Sequence, residues 1–215
     1  MAVQKDSVPA QVRRVLTERI LAGHYQPGDR LVELQIAREL GTSQGSVREA
    51  FRELEASRLV ESEPHRGTRV RVITPREMRE AYYARGILEQ AAAKAAARAF
   101  KGDVSRLREM ADAVLRAADK RNLTEQAASV YALHRAIVAA SGNKTLLRLW
   151  ESLALEIRVR VRLGWAPVDR ERAGGSYDAI LAALEAGDGR TAGRLLRQHA
   201  EAFAPADDKM QSRGV

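Results

Sequence analysis

Two sets of side chains in this 215-residue chain have the types and spacing to do chemistry. The first is Ser43, Gln44, Gly45, Ser46, Arg48 and Arg52, small or polar residues gathered at the start of a helical pattern. A helix amino end already favours anions through its free N–H groups and its dipole. Hydroxyls, an amide and guanidinium groups added there suit phosphates and the edges of bases. The missing bulk at Gly45 and its serine neighbours lets that end enter a groove. The second set is Arg85, His134, Tyr177 and His199, each a polar group among apolar residues at helical spacing. A polar group on a buried stripe must find a partner, and a buried guanidinium favours a carboxylate. Four such groups on four helices can converge on one cavity for a small organic acid.

Each set also has a plainer explanation. An ordinary capped surface helix accounts for the first. Arg85 can pair with Glu89 at i+4 or extend its charged end to the surface, and a core histidine is often satisfied by a carbonyl. An enzyme using His134 and His199 as acid–base or metal residues is an alternative from another class. It lacks support, because HExxH, a phosphate-binding glycine loop and a nucleophile elbow are all missing.

The elements that must position these residues divide the chain near residue 74. Before it, punctuation is dense: Gly23, Pro27-Gly28, Gly41, Pro64 and Gly67. A first helix is predicted over 9–22 from Val12, Leu16 and Ile20, and a short second over 33–40. Gly41 supplies a sharp turn, and Thr42 or Ser43 caps a third helix. In that helix Val47, Ala50, Phe51 and Leu54 form one buried stripe, which leaves Gly45, Arg48, Glu49 and Arg52 outward. Leu59-Val60 and TRVRV read as two strands around a PHRG turn, with Val70 and Val72 inward and Arg69 and Arg71 outward. Helix-turn-helix plus a two-stranded basic wing, with Arg66, Gly67 and Thr68 near its tip, is a nucleic-acid-reading arrangement.

After residue 74 the grammar changes. Thr74-Pro75-Arg76-Glu77 reads as a capping box opening a long helix. Helices are predicted over 75–100, 103–121, 124–141, 144–163, 170–187 and 189–203, an all-α antiparallel bundle of about six. The fold class is therefore mostly α: a winged helix-turn-helix over 5–74, a helical bundle over 75–204 and a frayed tail over 205–215.

Composition narrows the setting. The net charge of +8 invites a polyanionic partner, but the basic excess is spread along the chain, so a nonspecific nucleic-acid packaging protein remains a competing explanation. Cysteine is absent, which excludes disulfides and thiolate metal sites and fits a reducing cytoplasm. The start of the chain lacks the apolar core of a signal peptide, and no apolar run approaches the roughly 18 residues of a membrane span.

The run from Ile20 to Val70 resembles the winged DNA-binding domain of the GntR family of bacterial transcription regulators. The residues that carry the likeness include Gly23, Pro27-Gly28, Leu31, Leu40-Gly41, Ser43, Val47-Arg48-Glu49-Ala50, Leu54, Leu59-Val60, Gly67 and Val70. The resemblance implies DNA contacts from Ser43, Gln44, Ser46 and Arg48, and from Arg66, Gly67 and Thr68 at the wing. Gln44 and Ser46 stand where the family often carries arginine and proline, a departure that bears on operator sequence. Residues 75–203 resemble the helical ligand-binding domain of FadR-type regulators called FCD, notably in LHRAIVAASGN at 133–143. Together they imply a ligand-responsive regulator, expected to be a repressor, binding a palindromic operator on double-stranded DNA as a homodimer. The FCD pattern usually holds a divalent metal with an aspartate and three histidines. Here Val130 and Tyr177 replace two of those ligands beside His134 and His199, so no tightly bound metal is expected.

Overall fold

The computed structural model describes residues 7–63, 66–165 and 170–205. The first two residues of the predicted DNA-binding segment, the Pro64-His65 part of the wing turn and the tail beyond 205 lie outside them. The chain divides into two compact units between Val72 and Ile73.

In the first unit, α1 (Val8–Leu21), α2 (Glu33–Glu39) and α3 (Gln44–Ala56) pack around Val12, Leu16, Ile36, Val47, Phe51 and Leu54, all buried. Ser43 caps α3: its Oγ accepts the Ser46 N–H at 3.1 Å, satisfying one of the unpaired donors at the helix start. Gly41 adopts φ +60, the left-handed turn that separates α2 from α3.

The wing contains three strands rather than the expected two. β1 (Arg30–Leu31), β2 (Val60–Glu63) and β3 (Gly67–Val70) form an antiparallel sheet in the order β1-β3-β2. β1 is only two residues long, too short for an alternation pattern to announce it. Its Arg30 lies opposite Arg69, and Leu31 lies opposite Thr68. The expected inward placement of the valines holds for Val70 and fails for Val72. Strand β3 ends at Val70, and Val72 is exposed.

The second unit opens as the sequence indicates. Thr74 Oγ1 accepts the Glu77 N–H at 3.2 Å, and Glu77 Oε2 accepts the Thr74 N–H at 3.0 Å, a closed capping box. Helix α4 (Pro75–Phe100) then runs through the bundle, followed by α5 (Ser105–Asp119) and α6 (Leu123–Ala139). Where one helix was expected over 144–163 there are two, α7 (Lys144–Glu151) and α8 (Leu155–Trp165). The break falls at Ser152-Leu153-Ala154, with Ala154 at φ +49, and carries no glycine or proline to signal it. It is stabilised from the far side: Arg158 Nε donates to the Leu153 carbonyl at 2.7 Å. The break lets Trp150 turn inward and become fully buried beside Ala92, Val138 and Leu155. Helices α9 (Arg170–Glu185) and α10 (Gly189–Phe203) complete the unit, making seven helices among the described residues.

Helix α10 lies against α4 at very short range. A Cβ on Gly193 would come within 2.8 Å of the Gln90 carbonyl, and one on Gly189 within 2.7 Å of Lys94 Cα. Two glycines one turn apart thus set the separation of the helices that carry Arg85 and His199.

Candidate functional site

In the first unit the outward face of α3 is Gln44, Gly45, Arg48, Glu49 and Arg52, all exposed. The space beside Gly45 is open; an added Cβ would meet only Ser43 Oγ, at 3.6 Å. Ser43 and Ser46 are partly engaged with each other, their hydroxyls 3.0 Å apart. Arg48 has a partner that the sequence reading did not foresee. Its Nε donates to Glu33 Oε1 at 3.2 Å and its Nη2 to Glu33 Oε2 at 2.8 Å, a two-pronged pair reaching across to α2.

At the wing, Arg66 is exposed and donates to Glu63 at 2.9 Å. Gly67 takes φ +80 next to it. Thr68 departs from expectation: its side chain is buried, its hydroxyl lies 3.0 Å from that of Ser62, and it sits on the central strand between Leu31 and Ser62. The cause is strand alternation, which turns Thr68 and Val70 inward and Arg69 outward. Arg30 is the wing residue that sequence reasoning missed. It is exposed beside Gly67, and only the β1–β3 pairing brings it there.

In the second unit the four expected polar residues do come together, around a fifth. Glu89 is fully buried on α4 and accepts three hydrogen bonds: Arg85 Nε at 2.9 Å, Trp150 Nε1 at 3.0 Å and His134 Nδ1 at 3.1 Å. Burial alone would raise the Glu89 carboxyl pKa. The Arg85 guanidinium and His134 more than reverse that and hold it well below the usual carboxylate range. An ionised carboxylate only accepts, so His134 must donate from Nδ1 and present a bare lone pair at Nε2. Among the described residues that buried Nε2 has no hydrogen-bond partner, and neither has Arg85 Nη2.

The rings of His134, Tyr177 and His199 lie tilted against one another in one cluster, with centroids 5.2 Å apart for the histidines and 5.0 Å for Tyr177 and His199. Burial, then Arg85, lowers the His134 pKa. Burial, then His134 and Arg85, lowers that of His199 further, so both imidazoles are neutral near pH 7. Burial raises the Tyr177 phenol and keeps its proton on. Ser176 Oγ sits 2.6 Å from His199 Nδ1. Arg85, Tyr177 and His199 line a cavity of about 30 Å³ together with Gln126 and Arg162. It has room for one or two waters. Arg162 comes from α8 and is anchored by donating from Nε to the Phe203 carbonyl at 2.9 Å.

The donor set does not fit a divalent metal. Val130 packs among Ala127, Val159 and Leu163 and has no donor atom. The Tyr177 phenol keeps its proton, and His134 Nδ1 is committed to Glu89. Two imidazole nitrogens are left, short of the three or four ligands that zinc sites use.

Comparison with known proteins agrees with this geometry at both ends of the chain. Residues 9–70 match bacterial regulatory proteins of the gntR family, and residues 80–202 match the FCD domain. The chain is 36% identical over 202 residues to a probable D-xylose utilization operon transcriptional repressor of Paenarthrobacter nicotinovorans, covering 94% of this chain and 89% of that protein. It is 30% identical over 203 residues to the HTH-type transcriptional repressor GlaR of Escherichia coli (strain K12), covering 86% of this chain and 89% of that one. Of solved structures, a Rhodococcus sp. RHA1 protein assigned as a GntR transcriptional regulator superposes with a TM-score of 0.74 at 28% identity, covering 98% of this chain and all of that one. Escherichia coli McbR/YncC gives a TM-score of 0.74 at 25% identity, covering 97% of this chain and 100% of that one. The chain belongs to the gntR family of bacterial regulatory proteins, with a DNA-binding winged helix-turn-helix followed by an FCD domain, and is a transcription regulator rather than an enzyme.

Proposed function

We propose that this regulator is a cytoplasmic repressor that binds a palindromic operator as a homodimer and responds to a small organic acid. In this reading residues 5–74 bind DNA, while 75–204 dimerise and hold the effector. Ser43, Gln44, Gly45, Ser46, Arg48 and Arg52 enter the major groove. Arg66 and Gly67 contact the duplex from the wing. Two relatives named as repressors support the assignment as a repressor. No described helix is long and apolar enough to cross a membrane.

The observation that carries the effector assignment is Arg85. Glu89 satisfies its Nε, yet Nη2 is buried and unpaired on a side chain that lines the cavity. A carboxylate oxygen supplies the missing acceptor, and the Tyr177 hydroxyl and His199 complete the polar wall. The cavity as it stands is too small for such a molecule. Entry therefore requires side chains such as Arg162 and Phe203 to give way, which is how ligand affinity comes to depend on conformation. The covalent joint at 72–75 passes directly into α4, the helix that holds Arg85.

Thermal denaturation against a panel of small carboxylates tests this reading, because a ligand that binds only the folded state raises Tm with its concentration. Arg85→Lys keeps a cation beside Glu89 but removes Nη2. It should fold, bind DNA and lose the Tm response of the wild type. An undiminished response in that variant overturns the anchor. Binding sites recovered from random duplexes should show two-fold symmetry; sites without it overturn the dimeric reading.

A further inference from the structure

The Glu33–Arg48 pair assigns a role that the exposed face of α3 alone does not reveal. We infer that Glu33 is a positioning residue that turns Arg48 from a general phosphate clamp into a reader of guanine. This rests on the proposal that α3 enters the major groove.

A guanidinium carries five N–H groups. The Nε–H and one Nη2–H of Arg48 are spent on the two oxygens of Glu33, at 3.2 and 2.8 Å. The remaining Nη2–H and one Nη1–H are parallel and point away from Glu33, and the Arg48 side chain is 58% exposed. Two parallel donors match the O6 and N7 acceptors of guanine in the major groove. They also match two phosphate oxygens, so geometry alone does not choose between them.

Charge does. Glu33 neutralises the guanidinium at close range, and its own side chain is 30% exposed at the rim of the same surface. A phosphate docked on the free edge of Arg48 would have an anion a few ångströms behind the cation, so repulsion offsets much of the attraction. The guanine edge is neutral and suffers no such penalty. The carboxylate also fixes an otherwise flexible side chain, so fewer rotamers are lost when a base is contacted. Arg52, one turn further along the same face, has no carboxylate partner among the described residues and keeps its full charge for the backbone.

The test uses the full-length protein and duplexes it selects from a random-sequence pool. Three measurements follow: affinity for the selected duplex, affinity for a scrambled duplex, and the salt dependence of each. Replacing the guanine under Arg48 by 7-deazaguanine removes N7, and should weaken wild-type binding about tenfold. The same replacement should have little further effect in Arg48→Ala. Removing the pair together in Glu33→Ala/Arg48→Ala takes away no net charge and should leave the salt slope nearly unchanged, whereas loss of a phosphate contact lowers it by about one. Glu33→Gln frees the charge. It should tighten binding to the scrambled duplex, steepen its salt slope and narrow the ratio of selected to scrambled affinity about tenfold.

An unchanged ratio in Glu33→Gln, with thermal melting confirming its fold, overturns the inference. So does a Glu33→Ala/Arg48→Ala variant that weakens both duplexes equally and loses a unit of salt slope. A pool that yields no shared sequence with the wild-type protein instead overturns the operator-binding proposal beneath it.

Discussion

Trp150 on α7 donates its indole N–H to Glu89 on α4 at 3.0 Å, joining residues 61 positions apart through a carboxylate that also holds Arg85 and His134. The first long helix of the FCD domain is thereby tied to α6 and α7 by one buried anion. An effector bound at Arg85, as proposed, would act on a group already coupled to three helices.

Removing that anion should be costly. Glu89→Gln keeps the volume but leaves the Arg85 cation buried without its counter-charge, a change worth about 3–5 kcal/mol. For a chain of this size Tm should fall by roughly 10 °C. The double variant Arg85→Met/Glu89→Gln removes both charges, keeps an amide oxygen at position 89 for the buried donors, and should be less destabilised than Glu89→Gln, as read by denaturant unfolding of each. A double variant that is worse than the single one would mean that packing, rather than charge pairing, dominates the site.

Acid should loosen the same core. His134 and His199 are held neutral, with pKa values below their unfolded value near 6.5. The unfolded chain therefore binds more protons than the folded one as pH drops below about 6.5. Stability is fully present above that pH and is lost on acidification, by at most about 1.4 kcal/mol per pH unit for each imidazole. The depressed Glu89 carboxyl adds its loss as pH falls through the ordinary carboxylate range and below, at a more acidic step. Tm measured from pH 8 to pH 5 should fall in the wild type and fall less in His199→Gln. Equal slopes in the two proteins would exclude His199 as a contributor.

Much of this was legible in the sequence, for physical reasons. The Val47, Ala50, Phe51, Leu54 stripe fixes which face of α3 is outward, and the Thr74–Glu77 box fixes where α4 starts, since both depend on residues within two turns. The convergence of Arg85, His134, Tyr177 and His199 was also readable, because polar groups on apolar stripes must meet something. Glu89 was visible only as an i+4 neighbour of Arg85. Its role as the shared acceptor depends on Trp150, and Trp150 reaches it because of a helix break at Ser152–Ala154 that carries no glycine or proline. Arg30 and Glu33 were hidden for a related reason. Their partners, Arg69 and Arg48, lie far along the chain and are brought close by a two-residue strand and by the α2–α3 crossing.

Chelation should change nothing. Two available imidazole nitrogens, beside the aliphatic Val130 and the protonated Tyr177, are too few for tight divalent binding. Prolonged treatment with a chelator should leave Tm within error of the untreated protein, and added nickel or zinc at low micromolar concentration should not raise it. A chelator-induced drop that zinc restores would show that ligands outside this set complete a site.

Two glycines allow a final contrast. Gly193→Ala places a methyl group 2.8 Å from the Gln90 carbonyl, a backbone atom of α4 that cannot step aside. Helices α4 and α10 must separate, which costs about 1–3 kcal/mol and shifts His199 relative to Arg85, so the effector response should weaken along with Tm. Gly45→Ala meets nothing closer than Ser43 Oγ at 3.6 Å. It should leave Tm unchanged or raise it by a few degrees, since alanine favours the helix by up to about 1 kcal/mol. Its effect should appear only on DNA: the added methyl stands on the face offered to the groove, so affinity for a selected duplex should fall while the fold improves. A Gly45→Ala protein that is more stable and binds that duplex as tightly as the wild type would place the amino end of α3 away from the base edges.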